Sequence, residues 1–225
     1  MNRGARRAAP WLVAVIVAIP AASRSASAQA WNYPAFQQSH VVSREFNFGI
    51  ADGGDVGTDF LFQWREGLTP LEQLSLDAGF AAPKAHRSGI GFFGGQYGYQ
   101  LMPSNPQLPI EMLGVGGFNV AFGGGDVFFR IPAGVSVGHK FGLGQEAAFT
   151  PFALPRIGLD FCNQCGTARR GRAELGVGTD LGFNLDLTAR IALRFAAGFG
   201  GTTVISRDNT FGFTVAWSPP ALVRH

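Results

Sequence analysis

The two cysteines of this sequence have the spacing C-x-x-C, which can support thiol chemistry. Cys162 and Cys165 can form a disulfide, bind a metal ion or carry out thiol exchange. Thiol exchange is favoured by a following helix that lowers the thiol pKa, and the stretch from Gly166 to Arg172 does not read as the start of a helix. A zinc site needs two further ligands, and none lies nearby in the sequence. Because the chain also carries an export signal, we expect a structural disulfide between Cys162 and Cys165, with free thiols as the alternative.

A basic loop follows the cysteine pair. Arg169, Arg170 and Arg172 lie within four residues of one another. Guanidinium groups bind phosphate through two parallel hydrogen bonds, so this loop can bind phosphorylated lipid headgroups if it faces the outside of a cell. The alternative, which we favour, is a solvated loop of ordinary charge.

The histidines and the glycine-rich stretches do not predict a metal or cofactor site. His40, His86, His139 and His225 are far apart, and no pair has the i, i+4 spacing of a metal site. A nucleophile elbow, a phosphate-binding loop and a nucleotide fingerprint are all missing from the sequence. We therefore expect neither cofactor nor metal.

The elements that must position these residues are strands with two different faces. From Ala173 to Leu185, apolar side chains alternate with glycines and polar side chains, and the same pattern recurs over 191–199 and 211–217. This period of two residues predicts strands, and no stretch of ten residues after residue 30 has the period of a helix. We count about ten strands, with eight as the alternative. The sequence therefore predicts an all-β fold, a closed antiparallel up-and-down barrel that crosses a membrane.

The middle of the chain is less regular. Ile90 and Phe92 share one phase of the alternation and Phe93 takes the other, which predicts a β-bulge near Gly94 and Gly95. Prolines interrupt the next strands, and a proline has no N–H for a ladder. The expected places for Pro132, Pro151 and Pro155 are therefore strand ends or bulges.

The first 30 residues resemble a signal peptide for Sec export. Three arginines precede an apolar run from Trp11 to Ala22, and Ala28-Gln29-Ala30 matches an A-x-A cleavage site. We therefore expect residues 1–30 to be removed and residues 31–225 to form one barrel domain. The predicted signal holds four of the 18 basic residues and none of the 15 acidic ones, so the remainder has a formal net charge of −1. Such a chain lacks the basic footprint of a nucleic-acid-binding protein.

Glycine and phenylalanine enrichment also indicate a barrel in lipid. After residue 30, about 16% of the residues are glycine, against about 7% on average. Glycines inside strands permit strong curvature and a narrow lumen. The 21 phenylalanines supply more aromatic surface than a small soluble core needs.

The last predicted strand carries a recognisable motif. Thr210, Gly212, Val215 and Trp217 resemble the C-terminal assembly signal of Gram-negative outer-membrane barrels. With its alternating strands, the chain is similar in scale to the OmpA and OmpX class of small outer-membrane barrels. The resemblance implies localisation in the outer membrane, recognition by the barrel-assembly machinery, contact with membrane lipids and lipopolysaccharide, and a monomeric state.

Charged residues in the polar phase of the strands are expected to face the lumen. A charge at mid-depth on the lipid side costs about 2–4 kcal/mol, which favours the inward orientation. We predict ion pairs across the lumen among Arg156, Asp160, Glu174, Asp180 and Arg194. Arg194 is expected to reach Glu174 or Asp180 on the neighbouring strand. Such pairs favour a packed lumen over a water path.

The function predicted from these features is non-enzymatic: a structural or surface protein of the outer membrane, or a narrow pore. The first alternative is a soluble exported barrel that binds an apolar ligand inside, as lipocalins do. The second is an enzyme resembling outer-membrane lipid A deacylases, because His86 and Ser88 lie two residues apart. This alternative is weaker, since the spacing is common and the asparagine that adjoins the histidine in that family is missing.

Overall fold

The strands of this protein form one antiparallel barrel. The structure, a computed structural model, describes residues 33–52, 57–82, 89–105, 108–123, 125–165, 170–202 and 209–219. The strands are β1 (Arg44–Asp52), β2 (Thr58–Thr69), β3 (Glu72–Ala82), β4 (Ile90–Met102), β5 (Glu111–Gly123), β6 (Asp126–Gly138), β7 (Phe141–Gly142), β8 (Ala148–Cys165), β9 (Arg170–Asp186), β10 (Ile191–Gly201) and β11 (Thr210–Trp217). The part of the chain that the structure describes contains no helix long and apolar enough to cross a membrane.

Ten long strands form the closed barrel, and the two-residue β7 pairs with the beginning of β8. Each long strand pairs with the next along the chain, except that β6 pairs with β8 across β7. The ring closes where β1 pairs with β11, with Phe46 opposite Trp217. The predicted all-β, closed antiparallel barrel of about ten strands is confirmed. Small barrels of the OmpA and OmpX type have about eight strands, so this lumen is wider than theirs.

Along most of its length, each strand turns its apolar side chains outward and its polar side chains inward. On β9 to β11, Phe183, Phe195 and Phe213 lie at one level and stack side by side, with ring centroids 4.8 and 5.0 Å apart. On β10, Arg194, which precedes Phe195, is buried inside the barrel. The alternation follows from the two-residue period of a strand, which sends successive side chains to opposite faces.

The barrel has two distinct ends. We call the end at which β1 begins and β11 finishes the terminal end, and the opposite one the far end. Strands β1, β3, β5, β8 and β10 finish at the far end, as the antiparallel order requires. The predicted signal peptide and its cleavage site lie outside the described residues and stay predictions.

The predicted bulge near Gly94 and Gly95 is wrong. The pairing of β3 with β4 continues without a shift through these glycines, and the irregularity on β4 lies between Gln100 and Met102. Ile90 and Phe92 are buried in the lumen. The lumen itself is apolar at the far end, so a regular strand there carries apolar side chains on both faces. The change of phase between Phe92 and Phe93 therefore does not require a bulge.

Pro132 and Pro155 lie within strands, which corrects the expectation of strand ends or bulges for these two, whereas Pro151 is the fourth residue of β8 and lies near its start. Pro132 is in the middle of β6, and the β5–β6 ladder has no pair between Gly116↔Ala133 and Asn119↔Arg130. Pro155 is inside β8, and the β6–β8 ladder has a similar gap between Gly134↔Arg156 and Val137↔Ala153. A proline has no N–H to donate, so each one interrupts a neighbouring ladder without ending its strand.

Candidate functional site

The lumen of the barrel contains the chain segment that precedes β1. We call residues 33–43 the luminal segment. Phe36 is completely buried, and the polar side chains of Gln37, Gln38 and Ser39 are at most 3% exposed. A polar run that is buried on every side must be surrounded by hydrogen-bonding groups. The inward side chains of the strands supply these groups.

Side chains of the wall bind the backbone of the luminal segment. Gln100 on β4 accepts from the Val41 amide at 2.9 Å, and Gln73 on β3 accepts from the Val42 amide at 3.0 Å. The wall also donates to backbone carbonyls of the segment: Gln100 to Ser39 (3.0 Å), Ser136 on β6 to Gln37 (3.2 Å) and Arg65 on β2 to Phe36. The segment is therefore held by single hydrogen bonds from several strands rather than by a strand ladder.

The two ends of the luminal segment have different anchors. Tyr33 donates to Asp77 at 3.2 Å and packs on Phe92 with ring centroids 5.2 Å apart. Burial, and next the negative charge of Asp77, raise the pKa of the Tyr33 hydroxyl well above its ordinary value, so this group remains a donor. Near the terminal end, His40 lies 3.0 Å from the carboxylate of Glu111. The segment thus extends from the middle of the lumen to its terminal opening.

Glycines on the inner wall make room for the luminal segment. A Cβ at Gly138 would lie 2.6 Å from Ser39 Oγ, and one at Gly212 would lie 2.7 Å from the ring of Phe36. A Cβ at Gly67 would lie 2.7 Å from the carbonyl oxygen of Val42. Real Cβ atoms do not approach other atoms this closely, so a larger residue at these positions would force a shift. Part of the glycine enrichment therefore serves the segment inside the barrel.

A buried cluster of charges joins three strands next to the luminal segment. Glu45 on β1 lies opposite Arg65 on β2, and their side chains are 3.2 Å apart. Glu45 also forms an ion pair with Arg194 on β10, which donates in addition to Asn47 at 3.0 Å. The side chains of these charged residues are at most 3% exposed. Charges buried this deeply need direct partners, and one carboxylate here serves two guanidinium groups.

The partner of Arg194 differs from the sequence expectation of Glu174 or Asp180. Arg194 lies opposite Asn184, whereas Asp180 lies opposite Gly198, four residues farther along β10. Four residues correspond to about 13 Å along a strand, which exceeds the reach of an arginine side chain to a carboxylate. Glu174 lies beyond the last β9–β10 pair and forms an ion pair with Arg172 at 3.4 Å.

Two further ion pairs line the lumen. Arg130 on β6 binds Asp160 on β8 through two hydrogen bonds of 2.6 and 2.9 Å. Arg156 on β8 lies 2.7 Å from Asp180 on β9. Asp180 also accepts a hydrogen bond from the Ala35 amide, which ties this pair to the luminal segment. Arginine and carboxylate thus alternate around the inner wall.

Apolar side chains line the lumen around Tyr33 and toward the far end. The buried apolar cluster consists of Tyr33, Phe36, Ala51, Leu61, Ala81, Ile90, Phe92, Ala121, Phe128, Phe152, Cys162 and Ala196. Eight of these residues lie in the far-end halves of their strands. Beyond the luminal segment, the lumen is therefore lined by a small apolar layer.

A cavity of about 50 Å³ remains beside the luminal segment. Phe36, Gln63, Asn119, Arg130 and Arg156 are among its lining residues. This volume holds a few water molecules and is too small for a metabolite. Asn119 Oδ1 is buried without a protein partner, as expected beside a hydrated cavity.

The sequence-predicted loop residues lie at the far end. Cys162 is buried in β8, and the side chain of Cys165 lies outside the described residues, so the disulfide stays a prediction. Arg170 and Arg172 are exposed, while Arg169 lies outside the described residues. His86, Ser88 and His225 also lie outside them, so the enzymatic alternative has no described site. Among the described residues, no group of three or more potential ligands is arranged to hold a metal ion.

The residues of the predicted assembly signal lie on β11. Thr210, Gly212 and Thr214 face inward, whereas Val215 and Trp217 face outward. Trp217 stacks on Phe46 with ring centroids 5.6 Å apart, at the seam that closes the barrel.

The outer surface is the apolar one. Large apolar side chains are exposed on all ten long strands, among them Phe48, Phe60, Phe80, Phe93, Phe122, Ile131, Ile157, Val177, Ile191 and Phe211. A lipocalin-like barrel would carry its polar face outside, so the structure does not favour that alternative.

Sequence reasoning missed the luminal segment and Glu45. The signal was present as the polar run from Gln37 to His40, which lacks alternation and ends three residues before the first strand. An extended segment surrounded on all sides has no polar or apolar face, so periodicity does not detect it.

A scan of protein-family models finds no match to this chain, and a search of curated proteins finds none either. Similar solved structures include LpxR from Salmonella typhimurium, which is 10% identical with a TM-score of 0.45; the match covers 77% of this chain and 99% of that chain. They also include KdgM porin in complex with disordered oligogalacturonate (12% identical) and KdgM porin (10% identical). Both of these have a TM-score of 0.39, with 80% of this chain and 100% of that chain covered. To each of these the chain is similar in its barrel fold.

Proposed function

We propose that this protein is a non-enzymatic outer-membrane β-barrel that the luminal segment keeps closed, with a structural or surface role in the cell envelope. The observation that carries the proposal is the combination of an apolar exterior with a lumen filled by the protein's own chain. A conducting pore needs a continuous water path, and here Phe36 and the polar residues after it occupy the lumen. The remaining cavity of about 50 Å³ does not provide such a path.

The exterior supports a location in lipid. Exposed apolar residues occur on every long strand, and a soluble protein rarely exposes so large a continuous apolar surface. A closed barrel also leaves no unpaired strand edge, which the hydrocarbon region requires. Export through Sec, with removal of residues 1–30, would bring the chain to this membrane.

Two partners belong to the proposal. The exposed guanidinium groups of Arg170 and Arg172 at the far end are suited to phosphate groups of lipopolysaccharide. The outward Val215 and Trp217 on the last strand are suited to recognition by the barrel-assembly machinery. The protein carries out these roles as a monomer, because its ring closes within one chain.

Membrane fractionation and gel mobility test the location. We expect the protein in the outer-membrane fraction, soluble only in detergent, with faster migration on gels before boiling than after it. A monomer that stays in solution without detergent would contradict the proposal.

Recordings in planar lipid bilayers test the closed state. We expect the wild-type protein to give no stable conductance at low applied voltage. A large ohmic conductance of the wild type would reject the closed lumen and favour a pore.

A further inference from the structure

We propose that the luminal segment is a displaceable plug and that its withdrawal converts the barrel into a pore for small hydrophilic solutes. This inference rests on the proposed membrane barrel and adds to it a second, open state. Three observations support it: the width of the barrel, the kind of contacts that hold the segment, and the independence of the wall from those contacts.

The width of the barrel leaves room for a channel. Side chains alone fill a barrel of about eight strands, whereas this one has ten. Phe36 and Ser39 of the segment lie directly against the wall at Gly212 and Gly138. The segment thus occupies space that the wall leaves empty, and its departure would leave an opening along the lumen.

Water can replace most contacts of the segment. Gln73, Gln100 and Ser136 bind its backbone through neutral hydrogen bonds of 2.9 to 3.2 Å. Charged groups of the wall bind the segment as well, namely Glu45, Arg65, Asp77, Glu111 and Asp180. In the open state, the same wall groups would face water. Departure of the segment therefore leaves none of them without a hydrogen-bonding partner. The aromatic contacts of Tyr33 and Phe36 are the parts that favour the closed state.

The wall keeps its own ion pairs when the segment leaves. Arg65 with Glu45 joins β2 to β1, Arg130 with Asp160 joins β6 to β8, and Arg156 with Asp180 joins β8 to β9. Each pair lies between neighbouring strands of the barrel. The strands therefore stay connected by backbone ladders and by these ion pairs, while Arg65 and Asp180 exchange their hydrogen bonds to Phe36 and Ala35 for water.

The lining of the open lumen defines the solutes. Among the described inward residues, carboxylates outnumber guanidinium groups: Glu45, Asp59, Asp77, Glu111, Asp160 and Asp180 against Arg65, Arg130, Arg156 and Arg194. Small residues such as Ala51, Ala81 and Ala121 lie in the apolar layer toward the far end. This lining fits small hydrophilic solutes and small cations, and it does not fit bulky ligands.

A replacement variant tests whether the segment closes the lumen. Residues 33–43 are exchanged for a glycine and serine sequence of equal length, and Tyr33→Phe serves as a control that keeps the aromatic contact. Both variants are first checked for the gel mobility of a folded barrel. We expect stable conductance steps from the replacement variant and none from Tyr33→Phe. A folded replacement variant that does not conduct would overturn the inference while leaving the closed barrel intact.

A reversible disulfide tests whether the segment leaves in the intact protein. A Cβ at Gly138 would lie 3.0 Å from Ser39 Cβ, so a shift of about 0.5 Å between the segment and β6 brings the pair into the range of about 3.5–4.5 Å that a disulfide needs. Ser39→Cys and Gly138→Cys are therefore combined with Cys162→Ser and Cys165→Ser, and the variant without Gly138→Cys is the control.

We expect brief openings of the control at raised voltage, loss of these openings in the cross-linked protein, and their return after reduction. Openings that persist in the cross-linked protein, or a control that never opens, would overturn the inference. A wild-type barrel that is open at all voltages would instead reject the proposed closed state.

Discussion

Arg194 and Glu45 form a buried ion pair across two strand interfaces, although 149 residues separate them in the sequence. Arg194 lies on β10 and Glu45 on β1, with β11 between them. Arg65 approaches the same carboxylate from β2 at 3.2 Å. This cluster connects the first two strands to the last ones, so it stabilises the seam that closes the barrel.

Removal of one arginine from this cluster should be costly. We expect Arg194→Met to lower the free energy of unfolding by about 3 kcal/mol, the lower end of the range for one member of a buried ion pair, because Arg65 still neutralises Glu45. Arg190→Met, on the exposed turn before β10, should change it by less than about 0.5 kcal/mol. Urea unfolding in lipid vesicles measures both values. Equal effects of the two substitutions would contradict the assigned role of Arg194.

Charges on the outer face should be penalised according to depth. Leu181 and Leu175 share the outward face of β9, but Leu175 lies six residues nearer to the far end. We expect Leu181→Arg to destabilise the barrel in lipid by about 2–4 kcal/mol and Leu175→Arg by about 0–1 kcal/mol. Folding yields into vesicles at increasing urea concentration measure the difference. Equal tolerance at both positions would show that this face is not embedded in lipid.

Space beside the luminal segment should be limited at Gly138 and not at Gly142. A Cβ at Gly138 would meet Ser39 Oγ at 2.6 Å and the Pro151 carbonyl oxygen at 2.8 Å, whereas one at Gly142 would meet nothing within 4 Å. We expect Gly138→Val to lower the free energy of unfolding by about 1–3 kcal/mol, as overpacking does, and Gly142→Val to have little effect. A Gly138→Val protein as stable as the wild type would mean that the segment is not packed against this wall.

The cysteines should be oxidised and dispensable. We expect Cys162 and Cys165 to form a disulfide whose removal by Cys→Ala substitution costs at most about 2 kcal/mol, because so short a ring restricts the unfolded chain only slightly. Alkylation in denaturant without reductant distinguishes this state from buried thiols. Labelling of both cysteines under these conditions would exclude the disulfide.

The faces of the strands could be predicted from the sequence, but the contacts between distant strands could not. Arg194 and Phe195 alternate as a strand requires, so their inward and outward directions follow from the period alone. The partner of Arg194 depends on the stagger of β10 against β1, which no local pattern contains. The predicted bulge near Gly94 and Gly95 is wrong for a different reason: the lumen beside Ile90 and Phe92 is apolar, so alternation there does not separate the two faces.

The position of the luminal segment also limits the order of assembly. Residues 33–43 directly precede β1, and β1 completes the ring by pairing with β11. Before that pairing, the segment can be laid sideways into a still open sheet. After it, the segment has to thread lengthwise through the terminal opening, past the side chains of Glu45, Arg65 and Arg194. The timing of ring closure during biogenesis thus decides whether a newly made barrel already contains the luminal segment when it is released.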